Sequence, residues 1–408
     1  MTRPWKWLAR ATSQAEFILS ENGIVAKDIR SNGHGTAVVR AKQQVSSVLH
    51  IGKYYPPHMG GIETHLKGLV SCQSEGMSVK VVVANDQSVT RTEMLDGASV
   101  TRVASFGSVA SQPLCFSLPW KLAAHNDSLV HLHLPNPWGA QSYLMSGHRG
   151  KLIVTHHADT LGRAHLKRMV DPFVKRVMKR AAAIIVTSKK YLDSSEELLN
   201  FQGKCHVVPL GIDLHTFGAD APQEVRGIHE RYGTRLIVAV GRLVPYKGFE
   251  VLLTAMKDID ATLLLIGTGP LRGELEARIT ALGLGQRVHM LGYVTDTVPY
   301  YRASKMLVLP SVSRAESFGL VQVEAMAAGI PVINTDIASG VPEVSIDGVT
   351  GITVPPGDAS ALACAVNYLL ANEETRVRYG RAAKDRAHEH FSVQKMAQNT
   401  LSVYESVL

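Results

Sequence analysis

The sequence predicts an α/β protein of two doubly wound domains facing each other across a cleft. Short runs rich in Val, Ile and Leu alternate with helical patterns along most of the chain, the mark of βαβ units and parallel sheets. The series ends at PLGID (Pro209 to Asp213), passes a polar stretch at Gly218 to Gly227 that reads as a linker, and restarts at LIVAVG (Leu236 to Gly241). The chain has 408 residues, 45% hydrophobic and 19% charged, which is ordinary globular composition and enough length for at least two domains.

Taken in order, residues 1–44 show little periodicity and read as an extension, poorly ordered or the product of a start codon placed too early. The alternative for its first ten residues is a membrane contact, because Trp5, Trp7 and Leu8 stand beside Arg3, Lys6 and Arg10. The first domain, 45–217, opens with a strand at Val45 to Ile51, a loop KYYPPHMGGIETH, and an amphipathic helix to about Gln73. Strands follow at Val79 to Ala84, near Leu129 to Leu132, at Lys151 to Thr155, at Ala183 to Val186 and at Cys205 to Val208, with helices to Arg180 and from Lys189. The second domain, 218–390, places strands at Leu236 to Gly241, Thr262 to Ile266, Val288 to Leu291, Met306 to Leu309, Val332 to Asn334 and Gly351 to Val354. Helical patterns fill Ala359 to Leu370 and Glu373 to His390, and a last helix covers 391–408. In such sheets ligands bind at the strand C-terminal ends.

No uncharged apolar run reaches the roughly 18 residues that span a bilayer, and WLARATS is too short and polar for a signal-peptide core. Cys72, Cys115, Cys205 and Cys364 lie far apart, which points to a reduced, cytoplasmic setting without disulfides or structural zinc. The net charge of +8 favours anionic partners. Arg163 to Arg180 is the densest basic stretch, an amphipathic helix expected to break near Pro172; it suits a solvated face or an anionic membrane surface. No nucleic-acid-binding motif accompanies the charge.

The most informative stretch is ESFGLVQVE, Glu316 to Glu324. It follows the strand Met306 to Leu309 and a Pro310-Ser311 break, and its helical pattern runs from Phe318 to Ala328. Glu316 therefore sits ahead of a helix N-terminus, and Glu324 lies on the helix roughly 12 Å further along the axis. The amides of Phe318, Gly319 and Leu320 favour an anion, such as a diphosphate, between the two carboxylates. Upstream stand GRLVPYKG (Gly241 to Gly248) and PPHMGGIETH (Pro56 to His65). This order of motifs resembles the family 4 glycosyltransferases, with ESFGLVQVE as their E-x7-E motif, from roughly Val45 to the C-terminus.

The resemblance implies the GT-B fold, two Rossmann-like domains of which the first faces the acceptor and the second binds a nucleotide-sugar, with the terminal helix returning to the first. It implies that Arg242 and Lys247 clamp a leaving diphosphate and that His157 approaches the donor sugar, His156 being the competing position. Glu316 would hold sugar hydroxyls with Phe318, Gly319 and Leu320 nearby, and Glu324 the ribose. Gly60 and Gly61 open a helix where a phosphate can approach bare backbone; the alternative is a plain turn. Glu63 serves the loop or the acceptor. The backbone at Val294 would meet the base. His131, His133 and Asn136 resemble a cleft-facing HxHxPNP loop, with acceptor-side or structural roles rather than a metal site.

Two tempting motifs are set aside. GTGP (Gly267 to Pro270) has its next glycine at Gly273, so it is not the dinucleotide GxGxxG. Asp258-Ile259-Asp260 spells DxD but lies on the loop side away from the cleft, and neither metal nor other cofactor is expected. The resulting expectation is a retaining, metal-independent hexosyltransferase. It uses GDP-mannose or a UDP-sugar and a glycan or lipid-linked acceptor in envelope or exopolysaccharide synthesis. It would be cytoplasmic, peripheral on the inner face of the plasma membrane, with no nucleic-acid partner. The alternative is an inactive homologue acting as a scaffold.

Overall fold

The computed structural model describes residues 15–20, 23–28, 45–58, 60–109, 112–159, 164–218 and 221–408. The chain divides into two compact units, residues 1–43 and 44–408. In the first unit Ala15–Ser20 pairs antiparallel with Gly23–Asp28, where the sequence suggested only a poorly ordered extension. Trp5, Trp7 and their basic neighbours lie outside the described residues.

The second unit contains two large sheets. One has eight strands in the order Cys205–Val207, Ala183–Val186, Lys151–His156, Leu129–Leu134, Ser47–Ile51, Ser78–Ala84, Ala98–Val103 and Arg91–Leu95. All pairs are parallel except the last, which forms an antiparallel edge. The two strands nearest that edge do not stand out in the sequence, because RTEML is polar and largely exposed and ASVTRV, though mostly buried, is interrupted by Ser99, Thr101 and Arg102. The other sheet is wholly parallel, with six strands in the order Val288–Gly292, Thr262–Ile266, Leu236–Val240, Leu307–Val308, Val332–Thr335 and Gly351–Val354. Helices cover both faces, so central strands such as AIIV and LVHLHL are buried along their whole length.

Two further expectations are corrected. The expected linker contains a helix, Pro222–Tyr232; Pro222 occupies the first turn, where its missing N–H costs nothing, and Ile228 is buried. The basic stretch is one helix, Ala164–Arg180, that continues through Pro172. Val174, Val177 and Met178 fasten this helix to the core while Met169 and Phe173 face outward. Arg163 lies outside the described residues, and none of the described helices is long and apolar enough to cross a membrane.

The terminal helix, Val393–Val407, packs against the helix Gly61–Gln73 on one face of the eight-stranded sheet. Beneath these helices lies a layer of buried histidines. Register places His50 beside His131 on adjacent strands, and His133 shares a face with His131 because side chains alternate with period two. His131 Nδ1 meets the Tyr404 hydroxyl at 2.5 Å and its Nε2 meets Thr155 Oγ1 at 2.6 Å. His65 Nδ1 lies 3.1 Å from Met396 Sδ. Burial holds the pKa of His50 down at about 4 and that of His65 at about 3, and pushes His131, His133 and His157 well below the usual histidine value.

These histidines stay neutral when folded and gain protons when unfolded, so the unfolded state binds more protons below pH 6.5 and stability must fall as pH falls. Between pH 7 and 5.5 each one that stays neutral costs about 1 kcal/mol. Urea midpoints measured across that range should drop steadily; a flat profile would mean that the layer is protonated in the fold.

Candidate active site

The loop bearing Glu316 leaves the strand Leu307–Val308 and enters the helix Leu320–Ala327. The helix starts two residues later than the pattern suggests, because Gly319 adopts the left-handed conformation (φ 73°) at the N-cap. Phe318 is turned into the core against Phe391, so only its backbone faces the loop. The buried amide of Gln322 fixes the turn by donating to the carbonyls of Phe318 and Val341. Asn334 Nδ2 donates in turn to Gln322 Oε1 at 2.9 Å.

Glu316 and Lys247, assigned separate tasks from the sequence, form a buried ion pair at 2.5 Å. Ser311 donates to the same carboxylate oxygen at 3.3 Å. Lys247 ends a single 3-10 turn, Pro245–Lys247, after the strand Leu236–Val240. Its side chain lies over Gly241, where a Cβ would approach Lys247 Cε to 3.0 Å. Arg242 is exposed on the same loop. The GTGP turn buttresses this loop from behind: Leu243 N donates to Thr268 O at 2.9 Å, and a Cβ on Gly267 would strike Gly241 O at 1.9 Å. Close backbone packing therefore explains these glycines. Gly267 N also bonds Gly292 O at 2.8 Å, which sets the loop carrying Val294 beside the turn.

Glu324 accepts from the Tyr301 hydroxyl at 2.7 Å. Burial raises its pKa, while that hydrogen bond and the charge of Lys247 pull it down. Lys247 thus lies within electrostatic reach of both carboxylates of the motif. Tyr301 and Ser311, the partners of these two carboxylates, carry no pattern that the sequence could reveal.

The opposite wall is formed by the loop after Ser47–Ile51 and the helix Gly61–Gln73. A Cβ on Gly61 would meet only Leu320 Cδ1, at 4.0 Å, so the protein itself does not require glycine there. Gly60 is extended and leaves room for Glu63, whose Oε2 would lie 2.4 Å from a Cβ at that position. Lys53, missed in the sequence, has its pKa lowered chiefly by burial, raised by Glu63 and lowered by Arg242, so it lies within electrostatic reach of both. To one side Arg314 bonds Ser194 O at 2.9 Å and pairs with Asp159 at 3.3 Å. Glu343 accepts from the amides of Lys189 and Lys190 at 3.1 and 2.6 Å. These contacts join the two sheet layers.

His156 and His157 point to opposite sides of their strand. His156 bonds Glu197 at 3.0 Å and the Tyr191 hydroxyl at 2.7 Å. His157 packs edge-on against His65, whose helix begins at Gly61. Its Nε2 lies 3.3 Å from His133 Nδ1, His133 Nε2 lies 3.1 Å from His50 Nδ1, and His50 Nε2 lies 2.8 Å from Gln73 Oε1. With the Gln73 oxygen as acceptor, each imidazole carries its proton on Nε2, and the chain ends at a lone pair on His157 Nδ1.

His131 and His133 are fully buried on a strand under the terminal helix, which corrects the expectation of a cleft-facing loop. Asn136 caps the helix Pro137–Ser146 by accepting from Gly139 N at 3.0 Å. Asp258 and Asp260 are exposed at the N-terminal end of their strand, as the sequence suggested. The four cysteines are free. Among the described residues, the groups whose ligand atoms lie close enough to hold a metal are His50-His131-His133, His65-His133-His157 and His156-Asp159-Glu197.

Residues 59–216 match the model of "Glycosyltransferase Family 4" and residues 222–386 that of "Glycosyl transferases group 1". O-antigen chain mannosyltransferase C of Escherichia coli is 29% identical, covering 88% of this chain and 98% of its own. D-rhamnosyltransferase WbpZ of Pseudomonas aeruginosa is 31% identical, covering 67% of this chain and 71% of its own. Among solved structures, sucrose-phosphate synthase of Thermosynechococcus elongatus superposes with a TM-score of 0.74 at 23% identity, covering 88% of this chain and 98% of its own. Anabaena HepE, in complex with UDP-glucose, gives 0.73 at 20% identity, covering 89% of this chain and 100% of its own. The chain is a glycosyltransferase with the GT-B fold and belongs to the group 1, family 4 glycosyltransferases.

Proposed function

We propose that the enzyme transfers a hexosyl group from GDP-mannose or a UDP-sugar to a hydroxyl of a glycan or lipid-linked acceptor, with retention of configuration and without a metal ion. The observation that carries this reading is the buried Lys247–Glu316 pair at a helix N-terminus, with Glu324 in reach of the same lysine. The activities for which the mannosyl- and rhamnosyl-transferring relatives are named support the substrate class and a role in polysaccharide or glycolipid synthesis.

In this reading the incoming diphosphate takes over Lys247, and Glu316 is released to accept sugar hydroxyls. The bond from the anomeric carbon to the phosphate oxygen breaks with its electron pair leaving on the phosphate. Arg242, Lys247 and the helix amides stabilise that growing charge, and two cations take the place a divalent metal fills elsewhere. The acceptor oxygen bonds to the anomeric carbon on the same face, and its proton passes to the departing phosphate oxygen. Glu324 accepts ribose hydroxyls, and the Gly60-Gly61 turn admits the phosphate. The lone pair of His157 faces the sugar. The outward Met169 and Phe173, flanked by Arg168, Lys175, Arg176, Lys179 and Arg180, suit a peripheral position on an anionic cytoplasmic membrane face.

Thermal stability measured with GDP, UDP, GDP-mannose and UDP-glucose, with and without EDTA, tests the donor half. A ligand at 100 times its dissociation constant adds about 2.7 kcal/mol. The gain should survive EDTA and vanish in Glu324→Ala; silence across the panel would sink the proposal. Lys247→Met leaves a buried carboxylate alone and should cost about 3 kcal/mol of stability. Adding Glu316→Gln should restore stability while turnover stays down by about 100-fold or more. Recovery of turnover in the double variant would remove the pair from the chemistry. Gln73→Leu frees the tautomer of the histidine chain and should lower kcat about tenfold at unchanged donor KM, whereas Gln73→Glu retains the acceptor and most of the rate. Equal rates in both variants would confine the chain to a packing role.

A further inference from the structure

A row of aromatic rings stands outside the site described so far. Phe106 follows the strand Ala98–Val103, Phe116 precedes the helix Leu118–Ala123, and Trp138 opens the helix after Leu129–Leu134. Phe106 and Trp138 thus leave the C-terminal edge of the eight-stranded sheet, the edge that also carries Gly61 and His157. Phe106 and Phe116 stack with centroids 6.0 Å apart at 30°, and Phe116 meets Trp138 edge-on at 6.4 Å. Both phenylalanines are more than half exposed, at 59% and 55%.

Large aromatic side chains held in order while facing water mark a binding surface more often than chance exposure does. Their arrangement is fixed from below: Trp138 Nε1 donates to Cys115 O at 3.1 Å, and Trp138 and Tyr54 rest on one core cluster. Tyr54 stacks on His58 at 4.1 Å, and His58 pairs with the exposed carboxylate of Asp86 at 2.7 Å. Tyr54 also lies within electrostatic reach of Glu63. Strand order sets the loops bearing Tyr54, His58 and Asp86 between those bearing Trp138 and Phe106, so polar groups and aromatic rings share one edge of the sheet with the helix start at Gly61.

A ligand that matches this edge offers apolar ring faces and hydroxyls side by side. We propose that Phe106, Phe116 and Trp138 form a stacking platform for pyranose rings of the acceptor glycan, with His58 and Asp86 on the neighbouring loops receiving hydroxyls. The proposal rests on the transfer reaction inferred above and gives it an acceptor subsite. The apolar C–H face of a pyranose covers an aromatic ring, and its equatorial hydroxyls reach the rim. Acyl chains would make no use of the exposed imidazole and carboxylate on the neighbouring loops, which favours sugar over lipid.

The test is calorimetric titration of the full-length protein with tetrasaccharides of α-linked mannose and of rhamnose, and in parallel with phosphatidylglycerol–phosphatidylethanolamine vesicles. The variants are Phe116→Leu, which keeps apolar bulk without an aromatic face, and Phe116→Tyr, which keeps the face. Both are checked for folding by their thermal shift with nucleoside diphosphates. A tetrasaccharide should bind the wild type, bind Phe116→Leu about tenfold more weakly, and bind Phe116→Tyr about as well. Equal binding to the leucine variant would reduce Phe116 to apolar filler and overturn the platform. So would vesicle binding that is lost with the ring, or a wild type that responds to nucleoside diphosphates and ignores both tetrasaccharides. A wild type that responds to neither overturns the donor reading, and the platform with it.

Discussion

The buried contact between Lys247 and Glu316 is the constraint around which the second sheet's loops are arranged. Removing both charges from water costs several kcal/mol per ion, and only close approach with further hydrogen bonds offsets that. The structure supplies these conditions: a 2.5 Å contact, a hydroxyl from Ser311, and two turns that place the partners. The turn holding Lys247 is fixed on one side by GTGP and on the other by Val312 N, which donates to Tyr246 O at 2.9 Å.

The first sheet solves a different problem. Its inner face carries polar imidazoles where aliphatic groups are usual, and each nitrogen needs a partner. The adjacent histidines satisfy one another in a line from Gln73 to His157, and the terminal helix supplies Tyr404 and Met396 to close the layer. The last residues of the chain are thus tied to the helix that starts at Gly61. His65 Nε2 and Gln73 Nε2 remain buried without a hydrogen-bond partner.

Contacts across the gap are mostly polar. Arg314, Glu343, Lys190 and Asp336 link the layers through ion pairs and amide contacts, with Lys190 Nζ 2.5 Å from Asp336. Exposed pairs of this kind are individually weak.

Sequence by itself determined the layered α/β plan, the positions of nearly all central strands and the motif loops. These depend on local apolar runs, on glycine and proline punctuation, and on one carboxylate-bearing helix start. It did not reveal the strands RTEML and ASVTRV or the helix Pro222–Tyr232, whose mixed polar sequences carry no continuous apolar run and which form by pairing or docking onto an existing layer. Tertiary structure alone decided which groups meet. It joined Glu316 to Lys247 across 69 positions, turned His156 and His157 to opposite sides, drew His131 and His133 under the terminal helix, and brought Lys53 within electrostatic reach of Arg242. Spacing along the chain carries no record of such contacts, because they are set by strand order and register, which bring distant side chains to one edge of a sheet.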